Sequence, residues 1–318
     1  MAEENQAQPR TQDRNPAERS LRKAVYLVPS LLTTGNIFCG FYSVTESLAG
    51  AQALSLHDVA SATGHFDRAA INIGFAYLFD GLDGRIARMT NAATEFGVEL
   101  DSIADVLSFG IGPAILAFTW GYGMMPQLHK IAWAVSFLFL ICGALRLARF
   151  NVQARHPHLK PAVIKNPRVD KKAFVGMPIP AGATLVAAIV HFTPEPLSSR
   201  TGFTLSIAGQ QINLDSTFFG CALIALVAAL GVLMVSTIRY SSFKGVGARG
   251  YHPRVLFLAL ALVVLAIWFY SRWTLLILAV TYATHGPLSK LWGALKHRKT
   301  GAPVEQPRLE LDNPRSRH

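Results

Sequence analysis

The runs IAWAVSFLFLICGAL, FFGCALIALVAALGVLMV and VLFLALALVVLAIWFY constrain this chain most. Each approaches or reaches the ~20 apolar residues that carry a helix across a bilayer. In hydrocarbon every backbone N–H and C=O must be satisfied within the protein, so such runs fold as helices. Composition agrees. Of 318 residues, 51% are hydrophobic and 15% are charged, against ~25% charged in an average soluble chain. The mean hydropathy is +0.31. The chain reads as all-α, a polytopic membrane helix bundle of about eight transmembrane helices.

Apolar patterning places these spans near 27–49, 69–88, 95–119, 130–150, 174–193, 217–237, 254–271 and 273–292. An even number puts both termini on one side. Charge chooses the side. Arg10, Arg14, Arg19, Arg22 and Lys23 precede the first span. Arg155, Lys160, Lys165, Arg168, Lys171 and Lys172 follow the fourth, and Arg239, Lys244, Arg249 and Arg254 follow the sixth. The C-terminal tail adds another basic cluster from Lys290 to Arg317. The opposite side carries only Arg68, Lys130, Arg200 and Arg272. Short basic loops stay cytoplasmic, so both termini are expected in the cytoplasm.

The same topology accounts for the net charge of +11 without nucleic acid as a partner. Cys39, Cys142 and Cys221 stand alone in separate apolar runs, with neither metal-ligand spacing nor a disulfide framework. The first 24 residues are polar and lack the apolar centre of a signal peptide. Residues 1–18 are expected to form a disordered tail, 19–293 a transmembrane domain, and 294–318 a basic polar tail. The stretch ERSLRKAVYLVPSLL reads equally as a basic helix on anionic headgroups and as a solvated lead into the first span.

The stretch DGLDGRIARMTNAATEFGVELDSIAD breaks the apolar pattern. Asp80 and Asp83 are i,i+3 and Asp101 and Asp105 are i,i+4, so each pair shares a helix face. The second and third spans, joined by a short turn near Met89–Ala93, bring the two acidic faces to similar depth as antiparallel neighbours. Four carboxylates near hydrocarbon are costly and repel one another unless something compensates them. Facing oxygen ligands suit a hard cation such as Mg²⁺, Mn²⁺ or Ca²⁺. Gly84 and Gly97 remove side chains where a bulky group must approach, and Arg88 supplies positive charge for a phosphate. Helix capping or pairing with Arg85 and Arg88 would explain one such acid, but there are too few arginines for four. A cation transport path is the other reading, and two glycines and an arginine among the acids weigh against a bare ion.

The residues fit D-x-x-D-G-x-x-A-R-x8-G-x3-D-x3-D at every specified position: Asp80, Asp83, Gly84, Ala87, Arg88, Gly97, Asp101 and Asp105. This pattern resembles the CDP-alcohol phosphatidyltransferase family. The resemblance implies that family's fold and two divalent cations, Mn²⁺ or Mg²⁺, on Asp80, Asp83, Asp101 and Asp105. It also implies a CDP-diacylglycerol drawn from the lipid bilayer, with Gly84 packed on the nucleotide and Arg88 and Thr94 touching it, and Asp105 as general base. Thr33, Asn36 and Gly97 join the CDP-lipid site in this reading.

The motif is common to members that use different alcohols. TTGNIFCG, DSIADVLSFGIGP, ALRLARFN, FVGMPIPAGA and MVSTIRYSSFKG resemble the bacterial integral-membrane branch that uses L-serine. That likeness spans about Pro29 to Gly245, with Ser30 as a departure where relatives often have Asn. It implies phosphatidylserine and CMP as products and residence in the bacterial cytoplasmic (inner) membrane. Other acceptors (glycerol 3-phosphate, choline, an inositol phosphate) stay open, and the reading admits a homodimer. Arg146 and Arg149 are i,i+3 at the end of the fourth span. A buried arginine needs an anion, so both are candidates for serine or phosphate contact, with snorkelling as the alternative. Thr33, Thr34 and Asn36 form a polar patch that could bond phosphate or another helix.

Overall fold

The computed structural model describes residues 16–90, 94–155, 174–200, 202–207, 210–240 and 253–300. The expected outer ends of both tails and most of the basic connections after the fourth and sixth spans lie outside these residues. The described chain is helical. Its helices are α1 (Pro16–Ser55), α2 (Val59–Met89), α3 (Glu95–Asp105), α4 (Gly112–Leu116), α5 (His129–Arg155), α6 (Ile179–Phe192), α7 (Ser216–Val235) and α8 (Pro253–Thr300). Two short antiparallel pairs, which periodicity did not announce, join strands β1 (Phe174–Val175) to β4 (Arg239–Tyr240) and β2 (Phe203–Ile207) to β3 (Gln210–Leu214).

Among the described residues, four stretches are long and apolar enough to cross a membrane: Glu95–Tyr122, His129–Gln153, Ser216–Val235 and Phe257–Lys290. The outward faces confirm the solvent they are built for. Phe257 and Trp268 are 74% and 83% exposed, and Phe38, Phe41 and Trp133 also point outward. The interior combines small residues, including Ala62, Ala69, Ala76, Ala117, Ala132 and Ala183, with large ones such as Phe66, Phe109 and Phe139. An apolar exterior, with small residues that let helices approach closely, suits a helical membrane protein.

Several expected spans take a different form. The basic stretch before the first span is helical and continuous with it, through Pro29, in the 40-residue α1. The fifth is a helix of only 14 residues. Gly176 stands at φ +83 and Pro178 at ψ 140, so the helix cannot extend backward. A side chain at Gly176 would strike the Met234 carbonyl. The Gly176 and Met177 amides instead donate to Ile238 and Leu233, fixing the start of α6 on the end of α7. The last two spans form one element, α8, interrupted at Tyr270 (φ −136, ψ 46). The third span contains two π-helical segments, Val106–Ile111 and Ala117–Tyr122, on either side of α4.

Helix α1 is the central contact. It packs along α2 and also touches α3, α4 and both π segments, whereas α2 rests mainly on α1 and α6. The closest approach is at Gly40, where an added Cβ would lie 2.7 Å from Ser108 Cα and collide with its hydroxyl. That hydroxyl donates to the Asn36 carbonyl at 3.0 Å. Gly40→Val is therefore expected to force the two helices apart at a cost of about 1–3 kcal/mol. A lower thermal midpoint of the purified protein in detergent would show it; an unchanged midpoint would mean that the contact is loose.

A buried polar relay ties α8 to the rest. His191, at the end of α6, places Nδ1 2.6 Å from Asp67 Oδ1 on α2 and Nε2 3.0 Å from Ser271 Oγ. With Nδ1–H donating to the carboxylate, Nε2 accepts the serine hydroxyl. Near the other end of α8, the Tyr240 hydroxyl donates to the Ala283 carbonyl at 3.3 Å. Its ring occupies the space left by Gly286, where a Cβ would lie 2.5 Å from it.

Candidate active site

The acidic residues reach one place from α2 and α3. Asp80, Asp101 and Asp105 each present a carboxylate oxygen within 4.8 Å of the others. Helix α3 starts with Thr94 as its N-cap, whose Oγ1 accepts the Gly97 amide at 3.0 Å. From that start Asp101 and Asp105 fall one turn apart on the same face. Asp83 is only 4% exposed and turns toward α1, where Thr33 Oγ1 donates to its Oδ2 at 2.9 Å. The structure thus gathers three of the four acids and holds the fourth through a hydroxyl of the first span.

Several buried polar atoms here have no hydrogen-bond partner: Asp101 Oδ1, Asp105 Oδ1, and both side-chain atoms of Asn36. Such groups are costly to leave unmatched. All donors in the acidic cluster are carboxylate oxygens, the chemistry of a hard divalent cation. The residues present fit such an ion on Asp80, Asp101 and Asp105. A cation there would also relieve the repulsion among converging carboxylates.

The other sequence-chosen residues divide. Thr33 and Asn36 are buried beside the cluster, at 5% and 0% exposure. A Cβ at Gly84 would meet only Arg88 Nη2, at 3.8 Å, so nothing in the protein's own packing requires glycine there. Arg88 is exposed, and Gly97 packs against its own cap residue. Thr94 is exposed and serves as the helix cap. Arg146 is half-buried, and its Nε lacks a hydrogen-bond partner. Arg149 is exposed on the outer surface of α5 and is not drawn into the cluster. Sequence reasoning missed the bond from Thr33 to Asp83, whose partners stand 50 positions apart with no local spacing to signal it.

Comparison with known proteins gives the same direction. The model of the CDP-alcohol phosphatidyltransferase family matches residues 26–219. The chain is similar to the CDP-diacylglycerol–serine O-phosphatidyltransferase of Helicobacter pylori, with 35% identity over 223 residues, 70% of this chain and 75% of the relative. It is also similar to the enzymes of the same name from Mycobacterium leprae, 29% identical over 271 residues (84% and 76%), and Bacillus subtilis, 29% over 219 residues (68% and 91%). The acidic cluster and its motif lie wholly inside the matched region. The chain belongs to the CDP-alcohol phosphatidyltransferase family.

Proposed function

We propose that this chain transfers the phosphatidyl group of CDP-diacylglycerol to the hydroxyl of L-serine, giving phosphatidylserine and CMP. The observation that carries this reading is the convergence of Asp80, Asp101 and Asp105 inside the family motif. The serine acceptor is supported by the shared name of the relatives from H. pylori, M. leprae and B. subtilis.

Asp80, Asp101 and Asp105 would hold two divalent cations, Mn²⁺ or Mg²⁺, with Asp83 completing the set. Bound there, the cations would neutralise the pyrophosphate and the charge that develops during transfer. Thr33 orients Asp83 by the bond already in place. Gly84 leaves room for the nucleotide, and Arg88, Thr94 and Gly97 line the same cytoplasmic end. Asn36, buried with a free amide and carbonyl, bonds a substrate oxygen. Asp105 accepts the proton of the serine hydroxyl as that oxygen attacks the β-phosphorus and the bond to CMP breaks. A serine hydroxyl is a weak nucleophile at neutral pH, so it needs that base. Arg146 offers a cation for the serine carboxylate or a phosphate, with Arg149 further out.

The same reading covers the envelope of the site. Eight spans, formed by α1, α2, the third span, α5, α6, α7 and the two halves of α8, put both termini in the cytoplasm of a bacterial inner membrane. Residues 19–293 make up the catalytic domain between two polar tails. Assembly as a homodimer belongs to this reading and is checked by light scattering in detergent.

The test is CMP release from labelled CDP-diacylglycerol by membranes carrying the chain, with a panel of alcohols. L-serine is expected to release CMP fastest at equal concentration. Faster release with glycerol 3-phosphate or choline would move the assignment to a sibling activity. Lipid-dependent release with no alcohol at all would point to hydrolysis, with water taking the phosphatidyl group, and no release with any alcohol would favour a cation path.

A further inference from the structure

Three helices bring Asp67, His191 and Ser271 together well away from the acidic cluster. On α2, Asp67 stands about 20 Å before Asp80 along the helix axis. His191 Nδ1 is 2.6 Å from Asp67 Oδ1, and its Nε2 is 3.0 Å from Ser271 Oγ. The two ring nitrogens thus serve different partners. The carboxylate selects the tautomer with hydrogen on Nδ1, which leaves Nε2 as a base aimed at the hydroxyl. A carboxylate, an imidazole and a hydroxyl joined in that order are the parts of an activated nucleophile, which is recognised by geometry and role rather than by position in the chain. The imidazole is only 8% exposed, so little water competes for it.

The backbone sets Ser271 apart from an ordinary helix residue. Tyr270, just before it, leaves helical geometry (φ −136, ψ 46). Thr274 Oγ1 donates to the Ala266 carbonyl at 3.1 Å. Eight residues of straight helix would hold those positions about 12 Å apart, so the two halves of α8 fold back on each other here. Ser271 stands at the bend and is only half-buried. Around it, Trp268, Tyr270 and Trp273 are 83%, 68% and 60% exposed. Exposed Trp and Tyr beside a charged turn residue, Arg272, mark the depth of the lipid headgroups. Trp273 also packs edge-on against Phe192, the neighbour of His191, with ring centroids 4.6 Å apart. That contact seats the bend on α6. The carboxylic ester linkages of acyl lipids lie at the same depth.

We propose that Ser271, His191 and Asp67 form a second catalytic site, an esterase centre for acyl esters presented at the membrane surface. Ser271 Oγ attacks the ester carbonyl carbon while His191 Nε2 takes its proton. The bond to the alcohol breaks, and His191 gives that proton to the leaving oxygen. Water then attacks the acyl-serine with the same base, releasing the carboxylic acid and restoring the serine. Asp67 is a positioning residue that orients the ring and stabilises the imidazolium. The inference does not rest on the phosphatidyl-transfer reading, because no residue of the acidic cluster takes part.

The experiment exposes the purified full chain in detergent to a fluorescent alkyl fluorophosphonate, which phosphonylates an activated serine with loss of fluoride. A single label is expected, mapped by mass spectrometry to Ser271, together with hydrolysis of p-nitrophenyl butyrate. Ser271→Ala should abolish both. His191→Gln should slow both by about 10²–10⁴-fold, the range for a lost general base. Asp67→Asn should slow labelling and move its acid limb to lower pH, because the imidazolium loses its anionic partner. Excess chelator should stop CMP release and spare labelling, which separates the two centres. Mapping on the unaltered chain decides the matter even if a variant does not fold. No label on Ser271 in a parent chain that melts cooperatively, or equal labelling of Ser271→Ala, would overturn the second site and leave the three residues as a packing relay.

Discussion

Asp101→Asn and Asp80→Asn are each expected to lower CMP release by roughly 10²–10³-fold, the range for removing one preorganised electrostatic contact from a reacting centre. Insertion into the membrane should be normal. The reason lies in the three carboxylate oxygens within 4.8 Å of one another and in the orphaned, buried Oδ1 of Asp101. Without a cation these groups repel, so the site is held in a strained arrangement for its chemistry. An amide removes one negative charge and part of that repulsion. The metal-free variant should therefore melt at or above the metal-free parent while losing the stabilisation that added Mn²⁺ or Mg²⁺ gives the parent. Excess chelator should reproduce the loss of activity in the unaltered chain, and excess divalent metal should restore it. Full activity of the parent in metal-free buffer would sink the cation reading.

The second large effect is expected at Asp105. Asp105→Asn keeps the shape of the side chain but removes the proton acceptor, and loss of a general base typically costs about 10²–10⁴-fold in rate. Asp80→Asn should weaken both CDP-lipid affinity and turnover, whereas Asp105→Asn should spare affinity far more than turnover. The separation will be partial, because an oxygen of Asp105 also belongs to the three-carboxylate cluster. The comparison requires donor affinity and CMP release on the same purified proteins. Near-normal turnover of Asp105→Asn between weakly acid and weakly basic pH would remove it as the base.

The acids were legible because helical spacing is a local property. What spacing leaves open is the small angular difference between positions. At about 100° per residue, Asp101 and Asp105 differ by about 40° around the helix, but Asp80 and Asp83 differ by about 60° in the other sense. That is enough for Asp83 to face Thr33 on α1 while Asp80 faces α3. The partner lies 50 residues away, and no pattern in the sequence pairs them. The apolar runs likewise announced a membrane bundle but not its irregularities. Gly176 and Pro178 shorten α6, and Tyr270 breaks α8, through single backbone torsions that hydropathy does not register. The π-helical segments around α4 escaped for the same reason, since an extra residue in a turn leaves composition untouched. Arg146 could be chosen from its depth in the fourth span.

The relay through His191 has a consequence for how the protein is made. Asp67 and His191 emerge from the ribosome well before Ser271, the third member. Until α8 is synthesised, Nε2 of a histidine only 8% exposed in the finished chain has no serine hydroxyl to accept. The α2–α6 bond through Asp67 needs only those two helices, whereas the α6–α8 bond waits for the last one. A chain that stops short of Ser271 is therefore expected to keep the first bond and lack the second, leaving the seam between α6 and α8 open even though every acidic residue of the site has already been translated.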